Sequence, residues 1–289
     1  MVSIWQAFLQ LRQQLSAIGV AEADLEAREL MACAAGLDAR DTLGWKTIAL
    51  TPEAKQRAEA FLQRRQQEEP LAYILGEWDF YGNRFYVTPD VLIPRGDTEW
   101  LCDAAVQAAK AMRKPKVLDL CCGSGCIGIS IALAVPDAQV TLLDCSEAAL
   151  AVTRRNRGLY DLTEPRLTIL QGDALQPDSL DGIFDIVVSN PPYIAEQEMA
   201  ELDRSVDAYE PHLALYGGTD GLDFYHAMAE QPAFRLADGG KLFAECGWKQ
   251  GQQAADLFSA AGWKQVHLRC DLAGVPRIIC AEYHKRIAD

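Results

Sequence analysis

The sequence predicts an α/β fold: a mostly parallel sheet of seven strands with helices on both faces, its last two strands antiparallel, preceded by a small N-terminal helical bundle. Three observations predict it. From Lys116 onward, short apolar runs alternate with amphipathic segments, the order that produces a parallel sheet covered by helices. The last two apolar runs are joined only by Asp271-Leu272-Ala273-Gly274, too short for a parallel crossover, so they pair antiparallel. Before residue 70 the apolar residues recur at helical spacing.

The bundle occupies residues 1–70. Ile4, Phe8, Leu11, Leu15 and Ile18 line one face of a first helix, and Leu25, Leu30 and Met31 belong to a second. A third starts at Thr51-Pro52-Glu53, with Thr51 as N-cap and proline at the first helical position, and runs through Ala58, Phe61 and Leu62. Residues 71–96 read as a linker built on a β-hairpin, with Trp78, Phe80 and Tyr81 on one strand, Phe85, Tyr86 and Val87 on the other, and the turn at Gly82-Asn83. The remaining domain, 97–289, opens with a helix to about residue 112, capped by Asp97 or Thr98. Strands follow at 116–120, 139–143, 167–170, 183–189, 241–245, 263–270 and 275–282, and helices at 126–135, 147–160, 221–236 and 250–260.

Composition narrows the function classes. The 289 residues suffice for one large or two modest domains. No apolar stretch approaches the roughly 20 residues that span a bilayer, so no membrane association is expected. The first residues lack the basic patch and apolar core of a signal peptide, and a cytoplasmic location is the expectation. Nine cysteines without framework spacing suit free thiols in a reducing compartment. Cys121, Cys122 and Cys126 cluster, but without a Cys-x-x-Cys pair or a nearby histidine no metal site is expected. A net charge of -14 with scattered Arg and Lys argues against a duplex nucleic-acid substrate. Arg95-Gly96-Asp97 is a chance triplet in a cytosolic chain, not an adhesion signal.

The strand Val117-Leu118-Asp119-Leu120 ends in Cys121-Cys122-Gly123-Ser124-Gly125-Cys126-Ile127-Gly128, which spells Gly-x-Gly-x-x-Gly. The next strand ends at Asp144, 21 residues after Gly123. That spacing passes the dinucleotide fingerprint, in which glycines allow close backbone approach and the acid accepts ribose hydroxyls. NAD is therefore a competitor. Asp119 argues against it, because a carboxylate before the turn repels a pyrophosphate. S-adenosylmethionine has ribose, adenine, a sulfonium and an amino acid but no phosphate, and an acid-flanked glycine turn suits it. Asp119 alternatively serves as a hydrogen-bonded turn residue. Asp144 alternatively caps the following helix, a role open to Ser146 as well. In Gln171-Gly172-Asp173-Ala174, Asp173 is a candidate acceptor for an adenine amino group or else serves its own turn.

Asn190-Pro191-Pro192-Tyr193 follows the apolar run Phe184–Ser189, which places it at the carboxyl end of a strand, where open α/β sheets bind ligands. Two prolines fix φ and leave carbonyls free to accept. Asn190 adds a side-chain acceptor and Tyr193 a flat face. The tetrapeptide reads as a clamp for a planar group bearing an NH2, with no evident use in hydride transfer.

With both motifs in hand, the chain resembles the release factor glutamine methyltransferases. The resemblance covers most of the length: Glu69-Pro70-Leu71-Ala72-Tyr73-Ile74-Leu75-Gly76 through Leu92-Ile93-Pro94-Arg95-Gly96-Asp97-Thr98-Glu99, Tyr209-Glu210-Pro211, Leu215-Tyr216-Gly217-Gly218-Thr219-Asp220-Gly221-Leu222, and Asp271 through Arg277. It implies a Rossmann-like class I methyltransferase sheet in 97–289, S-adenosyl-L-methionine as cofactor, and methylation of the glutamine N5 in the Gly-Gly-Gln loop of peptide chain release factors; a separate helical bundle in 1–70 is then expected to recognise the protein substrate. Cofactor contacts are then expected from Asp119, Cys121, Cys122, Gly123, Ser124, Gly125, Asp144, Asp173, Ala174 and Asn190. Substrate is expected at Asn190, Pro191, Pro192 and Tyr193, with Asn190, Pro191 and Tyr193 catalytic. Cys121-Cys122-Gly123 departs from the family's Gly-Thr-Gly, so the turn must form without glycine's conformational freedom at residue 121. Asn-Pro-Pro-Tyr alone is shared with nucleic-acid N-methyltransferases, and a ribosomal-protein glutamine methyltransferase or a cofactor-binding regulator with a dead site are the other readings.

Overall fold

The computed structural model describes residues 2–176, 180, 182–230, 236–271 and 273–285. They form two compact units, Met1–Glu77 with Arg204–Tyr209, and Trp78–Asp203 with Glu210–Asp289.

The first unit is the helical bundle. Helix α1 (Ile4–Ala17) begins with a capping box, in which Ser3 Oγ accepts the Gln6 N–H and the Gln6 side chain accepts that of Ser3. It buries Ile4, Phe8, Leu11 and Leu15, whereas Ile18 is its exposed C-cap. Helix α2 (Ala23–Ala35) buries Leu30 and Met31 but exposes Leu25, because Ala23, Ala27 and Ala34 complete its packed face with small side chains. In α3 (Pro52–Gln66), Thr51 caps by accepting from Ala54 N, with Pro52 at the first position. A short helix, α4 (Leu71–Leu75), ends at Gly76 with φ +77°. Five residues carry too little periodicity to announce a helix. Arg64 forks onto Glu69 at 2.8 and 2.5 Å and also reaches the Tyr73 carbonyl at 3.1 Å. Residues 71–76 therefore pack with the bundle core. A later single turn, α9 (Arg204–Asp207), joins this unit through the Arg204–Glu68 ion pair and a hydrogen bond from the Tyr209 hydroxyl to the Gln67 carbonyl, 2.7 Å.

In the second unit, β1 (Glu77–Phe80) and β2 (Asn83–Tyr86) form the expected hairpin. Its turn sits one residue earlier than predicted, at Tyr81-Gly82, with φ +50° and +72°. Positive φ at both central residues is what a two-residue hairpin turn of matching twist requires. Phe80 and Phe85 meet edge to face and enter the same core as Val117 and Val140, so the hairpin is part of the domain. Helix α5 (Thr98–Lys110) lacks a side-chain cap, since Asp97 is itself helical and pairs with Arg277 at 3.0 Å.

The sheet then builds from β3 (Lys116–Leu120), β4 (Gln139–Asp144), β5 (Leu167–Gln171), β6 (Phe184–Ser189), β7 (Leu236–Glu245), β8 (Lys264–Cys270) and β9 (Pro276–Tyr283). Helices α6 (Cys126–Ala134), α7 (Glu147–Leu159), α8 (Glu196–Met199), α10 (Asp223–Glu230) and α11 (Gly251–Ala260) lie between strands. The order is β5-β4-β3-β6-β7-β9-β8. β8 and β9 pair antiparallel as expected, and β9 also pairs antiparallel with β7. β7 starts at Leu236 and not 241. Residues 231–235 of the expected helix, like Leu272, lie outside the described residues. β3 is buried on both faces, with Val117 in one core and Leu118 and Leu120 in the other. The chain moves outward from β3 in both directions, to β4 on one side and β6 on the other, and that reversal opens a crevice at the carboxyl ends of the strands.

Candidate active site

The glycine turn follows β3. Cys121 adopts φ +58°, so the left-handed conformation is taken despite its side chain, a cost of about 1–2 kcal/mol for an L-residue. The neighbourhood holds it there. Cys122 N–H donates to the Leu143 carbonyl at 3.0 Å, and Gly123 N–H to Asp144 Oδ2 at 2.9 Å. A Cβ on Gly125 (φ +79°) would lie 2.8 Å from Thr153 Cγ2, and one on Gly128 2.0 Å from Leu142 Cδ2. The first thus supplies both the backbone conformation and clearance, and the second lets α6 press against β4.

Asp119 is fully buried, and Gly128 N–H donates to its Oδ2 at 2.8 Å. Burial pushes its carboxyl up to about 8, opposed by the Gly128 bond and reinforced by the Asp144 charge. Oδ1 has no partner among the described residues. Asp119 therefore ties the first turn of α6 to β3 from beneath and does not line the cavity, which corrects the expectation of a direct cofactor contact. It also occupies one of the helix N–H groups that a pyrophosphate would need.

Asp144 ends β4. Its Oδ1 accepts from Ser146 N at 2.9 Å and its Oδ2 from Gly123 N. Burial raises its pKa while the Ser146, Gly123 and Cys145 N–H groups hold it down. Ser146, not Asp144, caps α7, accepting from Ala149 N at 3.2 Å. Each Asp144 oxygen keeps a lone pair for a ligand hydroxyl.

Two buried polar residues of α7 escaped sequence reasoning. Thr153 donates to the Gly123 carbonyl at 2.7 Å. Asn156 Nδ2 donates to the Ser124 carbonyl at 2.8 Å and the Tyr86 carbonyl at 3.0 Å, while its Oδ1 accepts from Tyr86 N at 2.7 Å. The available signal was their helical spacing from Ala149, which puts both on the buried face.

A cavity of about 250 Å³ opens over these strand ends. Of the predicted residues, Cys121, Cys122, Gly123, Ser124, Asp144, Asp173, Ala174, Asn190 and Pro192 line it, whereas Asp119, Gly125, Pro191 and Tyr193 do not. Asp90, Val91, Leu92, Pro94, Arg95, Thr98, Leu143, Leu213 and Phe224 line it as well. Its charged residues are Asp90, Asp144, Asp173 and Arg95, and Arg95 is already paired with buried Glu210 at 2.5 Å. Asp173 Oδ1 accepts from Leu175 N at 2.8 Å, the turn role weighed for it. An acidic, largely apolar cavity fits a sulfonium nucleoside and opposes a pyrophosphate.

The clamp leaves β6 after Ser189, whose hydroxyl donates to the Leu120 carbonyl at 2.9 Å. Asn190 Nδ2 donates to Thr98 Oγ1 at 3.2 Å, and no described residue donates to Asn190 Oδ1. Pro191 and Pro192 are buried. Residues 215–221 strap the clamp from outside: Ile194 N–H donates to the Leu215 carbonyl and Gly217 N–H to that of Ile194. A Cβ on Gly217 would fall 2.7 Å from the Pro192 oxygen, and one on Gly221 2.4 Å from the Tyr193 oxygen, so only glycine admits the strap. Gln250 Nε2 also donates to the Tyr193 carbonyl, 2.8 Å. Burial drives the Tyr193 phenol well above its ordinary value, with Glu245 adding to the rise.

Among the described residues no helix is long and apolar enough to cross a membrane, and no cluster of three or more His, Cys, Asp or Glu could hold a metal. Two family models match the chain, PrmC N-terminal domain over residues 6–76 and Methyltransferase small domain over 102–207. The chain is 42% identical to the release factor glutamine methyltransferase of Cereibacter sphaeroides over 93% of its own length and 94% of that protein's. It is 37% identical to that of Geobacter sulfurreducens, over 93% and 92%. A methyltransferase structure from Pyrococcus furiosus shares the fold at 15% identity, with a TM-score of 0.52 over 78% of this chain and 98% of that one. With a glycine turn, a strand-terminal acid and a strapped Asn-Pro-Pro-Tyr at one crevice, and with relatives this similar end to end, the chain belongs to the release factor glutamine methyltransferase family.

Proposed function

We propose that the protein transfers a methyl group from S-adenosyl-L-methionine to the side-chain amide nitrogen of a glutamine in peptide chain release factors, the one in the Gly-Gly-Gln loop. The observation that carries this reading is the free Asn190 Oδ1 at the cavity wall, beside a clamp whose shape is dictated by its glycine strap. The cofactor, when bound, supplies an electrophilic methyl carbon on a sulfonium. Asp144 accepts the ribose hydroxyls with the lone pairs left by Gly123 and Ser146. Asp173 and Ala174 meet the adenine side of the cavity. Cys121 to Ser124 pass their backbone along the ligand.

A carboxamide nitrogen is a weak nucleophile because its lone pair is delocalised into the carbonyl. Asn190 Oδ1 and the Pro191 carbonyl each accept one N–H of the substrate amide, which orients the nitrogen and raises its electron density. Positioning of this kind supplies about 7–11 kcal/mol in favourable cases. Tyr193, outside the lining of the cofactor cavity, packs on the glutamine side chain. Nitrogen takes the methyl as the carbon–sulfur bond breaks, and the resulting N-protonated cation is strongly acidic and releases its proton to water. The bundle serves as the unit that recognises the protein substrate, a role supported by its separate core and by apolar Leu25, Leu43 and Ile48 on its surface.

The test is mass spectrometry of a release factor after incubation with the protein and S-adenosylmethionine. One added methyl on the loop glutamine is expected, and Asn190→Ala is expected to abolish it while leaving cofactor affinity within about threefold, since Asp144 is untouched. Label on a ribosomal protein or a nucleic acid instead would replace the reading.

A further inference from the structure

The clamp works only if Asn190 presents oxygen, not nitrogen, to the substrate, and a carboxamide can turn over to present either. Three facts bear on which end faces the cavity. β6 and β7 pair in register through Ser189↔Ala244, so Asn190 and Glu245 emerge as neighbours at the two strand ends. Helix α5 packs over both strands and puts its first residue, Thr98, between them. The Thr98 hydroxyl receives the Asn190 Nδ2 hydrogen bond at 3.2 Å and lies close enough to the Glu245 carboxyl to hold its pKa down. Thr98 is 2% exposed and Glu245 4%, and Glu245 Oε2 has no partner among the described residues. A buried carboxylate is costly without a purpose, and nothing in the transfer chemistry above uses it.

We propose that Thr98 and Glu245 are positioning residues that hold the Asn190 carboxamide with Oδ1 toward the substrate. The inference rests on the glutamine-methylating reading of the clamp. A hydroxyl has one proton. With an ionised carboxylate on one side, Thr98 gives that proton to Glu245 and has only lone pairs left for Asn190. Asn190 must then offer its NH2 to Thr98 and its oxygen to the cavity. Without the carboxylate, Thr98 is free to donate to Asn190 Oδ1, and the turned amide sets its NH2 against the substrate's NH2, donor against donor. Burial first, and then Asp97, push the Glu245 carboxyl up to about 7 while Thr98, Arg277 and Arg95 oppose the rise, so the ion is the major form above that pH.

The experiment uses the full-length protein and an intact release factor. Thr98→Val keeps the shape and removes the hydroxyl, and Glu245→Gln keeps the shape but lets the residue donate to Thr98. Both are expected to lower kcat roughly tenfold to a hundredfold, the scale of a misoriented reacting group. Cofactor Kd, the KM for release factor and the melting temperature stay near wild type, and Thr98→Ser restores kcat. If Thr98→Val disturbs folding, Glu245→Gln and Thr98→Ser decide, and wild-type kcat in Glu245→Gln overturns the proposal. Wild-type kcat in a folded Thr98→Val overturns it too, while leaving the glutamine reading intact. Wild-type protein that transfers no methyl to the release-factor glutamine overturns that reading and this inference with it.

Discussion

Replacing Asn156 by alanine tests how the cofactor loop is held. Asn156 has no exposure and makes three hydrogen bonds, one from Tyr86 N, one to the Tyr86 carbonyl and one to the Ser124 carbonyl. It thereby fastens both the hairpin and the glycine turn to α7. Truncation leaves an N–H and two carbonyls without their partner in the interior. At about 1–3 kcal/mol for each unsatisfied buried group, and with partial relaxation, the loss comes to about 3–6 kcal/mol. That is a large share of the roughly 5–15 kcal/mol that holds a typical domain folded. Asn156→Asp is expected to be at least as damaging, because it keeps the acceptor for Tyr86 N but turns a carboxylate toward two carbonyls. Urea unfolding followed by far-UV circular dichroism measures the stability loss, and titration calorimetry at low temperature measures cofactor affinity in the folded fraction. Affinity should weaken because Ser124 lines the cavity. A loss under about 1 kcal/mol with unchanged affinity would refute the claim that this side chain organises the loop.

Asp119 makes stability depend on pH. Its carboxyl stands near 8 in the folded protein against an ordinary 3.8. The folded state therefore holds a proton that the unfolded chain gives up. The contribution is complete below 3.8 and lost as pH rises through about 8. Between those limits stability should fall by about 1.4 kcal/mol per pH unit from this group. Denaturant unfolding at several pH values should show a shallower decline in Asp119→Asn, and an unchanged slope would remove Asp119 as its source. Gly221→Ala introduces a Cβ 2.4 Å from the Tyr193 oxygen at φ +77°. It should cost about 1–3 kcal/mol of stability, and methyl transfer, read with labelled cofactor, should drop more than cofactor binding. Equal losses of both would mean that the strap does not act through the clamp.

Much of this was legible in residue order, and the reasons are local. Alternating apolar runs dictate a parallel sheet because each strand must bury both faces beneath crossing helices, and a four-residue link leaves the last pair only an antiparallel arrangement. Thr51-Pro52 starts a helix by its own chemistry. Gly123 to Gly128, Asp144 and Asn190 to Tyr193 announce themselves because glycine, proline and a strand-terminal acid constrain the backbone wherever they occur. Other properties depend on what lies opposite in space. Whether Asp119 meets a ligand was decided by Gly128 N–H, which captured its carboxylate in the interior. The hairpin turn moved to Tyr81-Gly82 because strand twist favours two consecutive positive φ angles. Leu25 faces outward because alanines on α2 fit the bundle more closely. Thr153 and Asn156 on α7 and Thr98 on α5 bond partners from distant stretches of chain, and those hydrogen bonds exist only once the sheet has set its register. Sequence by itself determined the elements and the chemical vocabulary of the site. Tertiary structure decided which polar groups are satisfied by protein and which are left for substrate, because a hydrogen bond is settled by the partner that folding brings within reach.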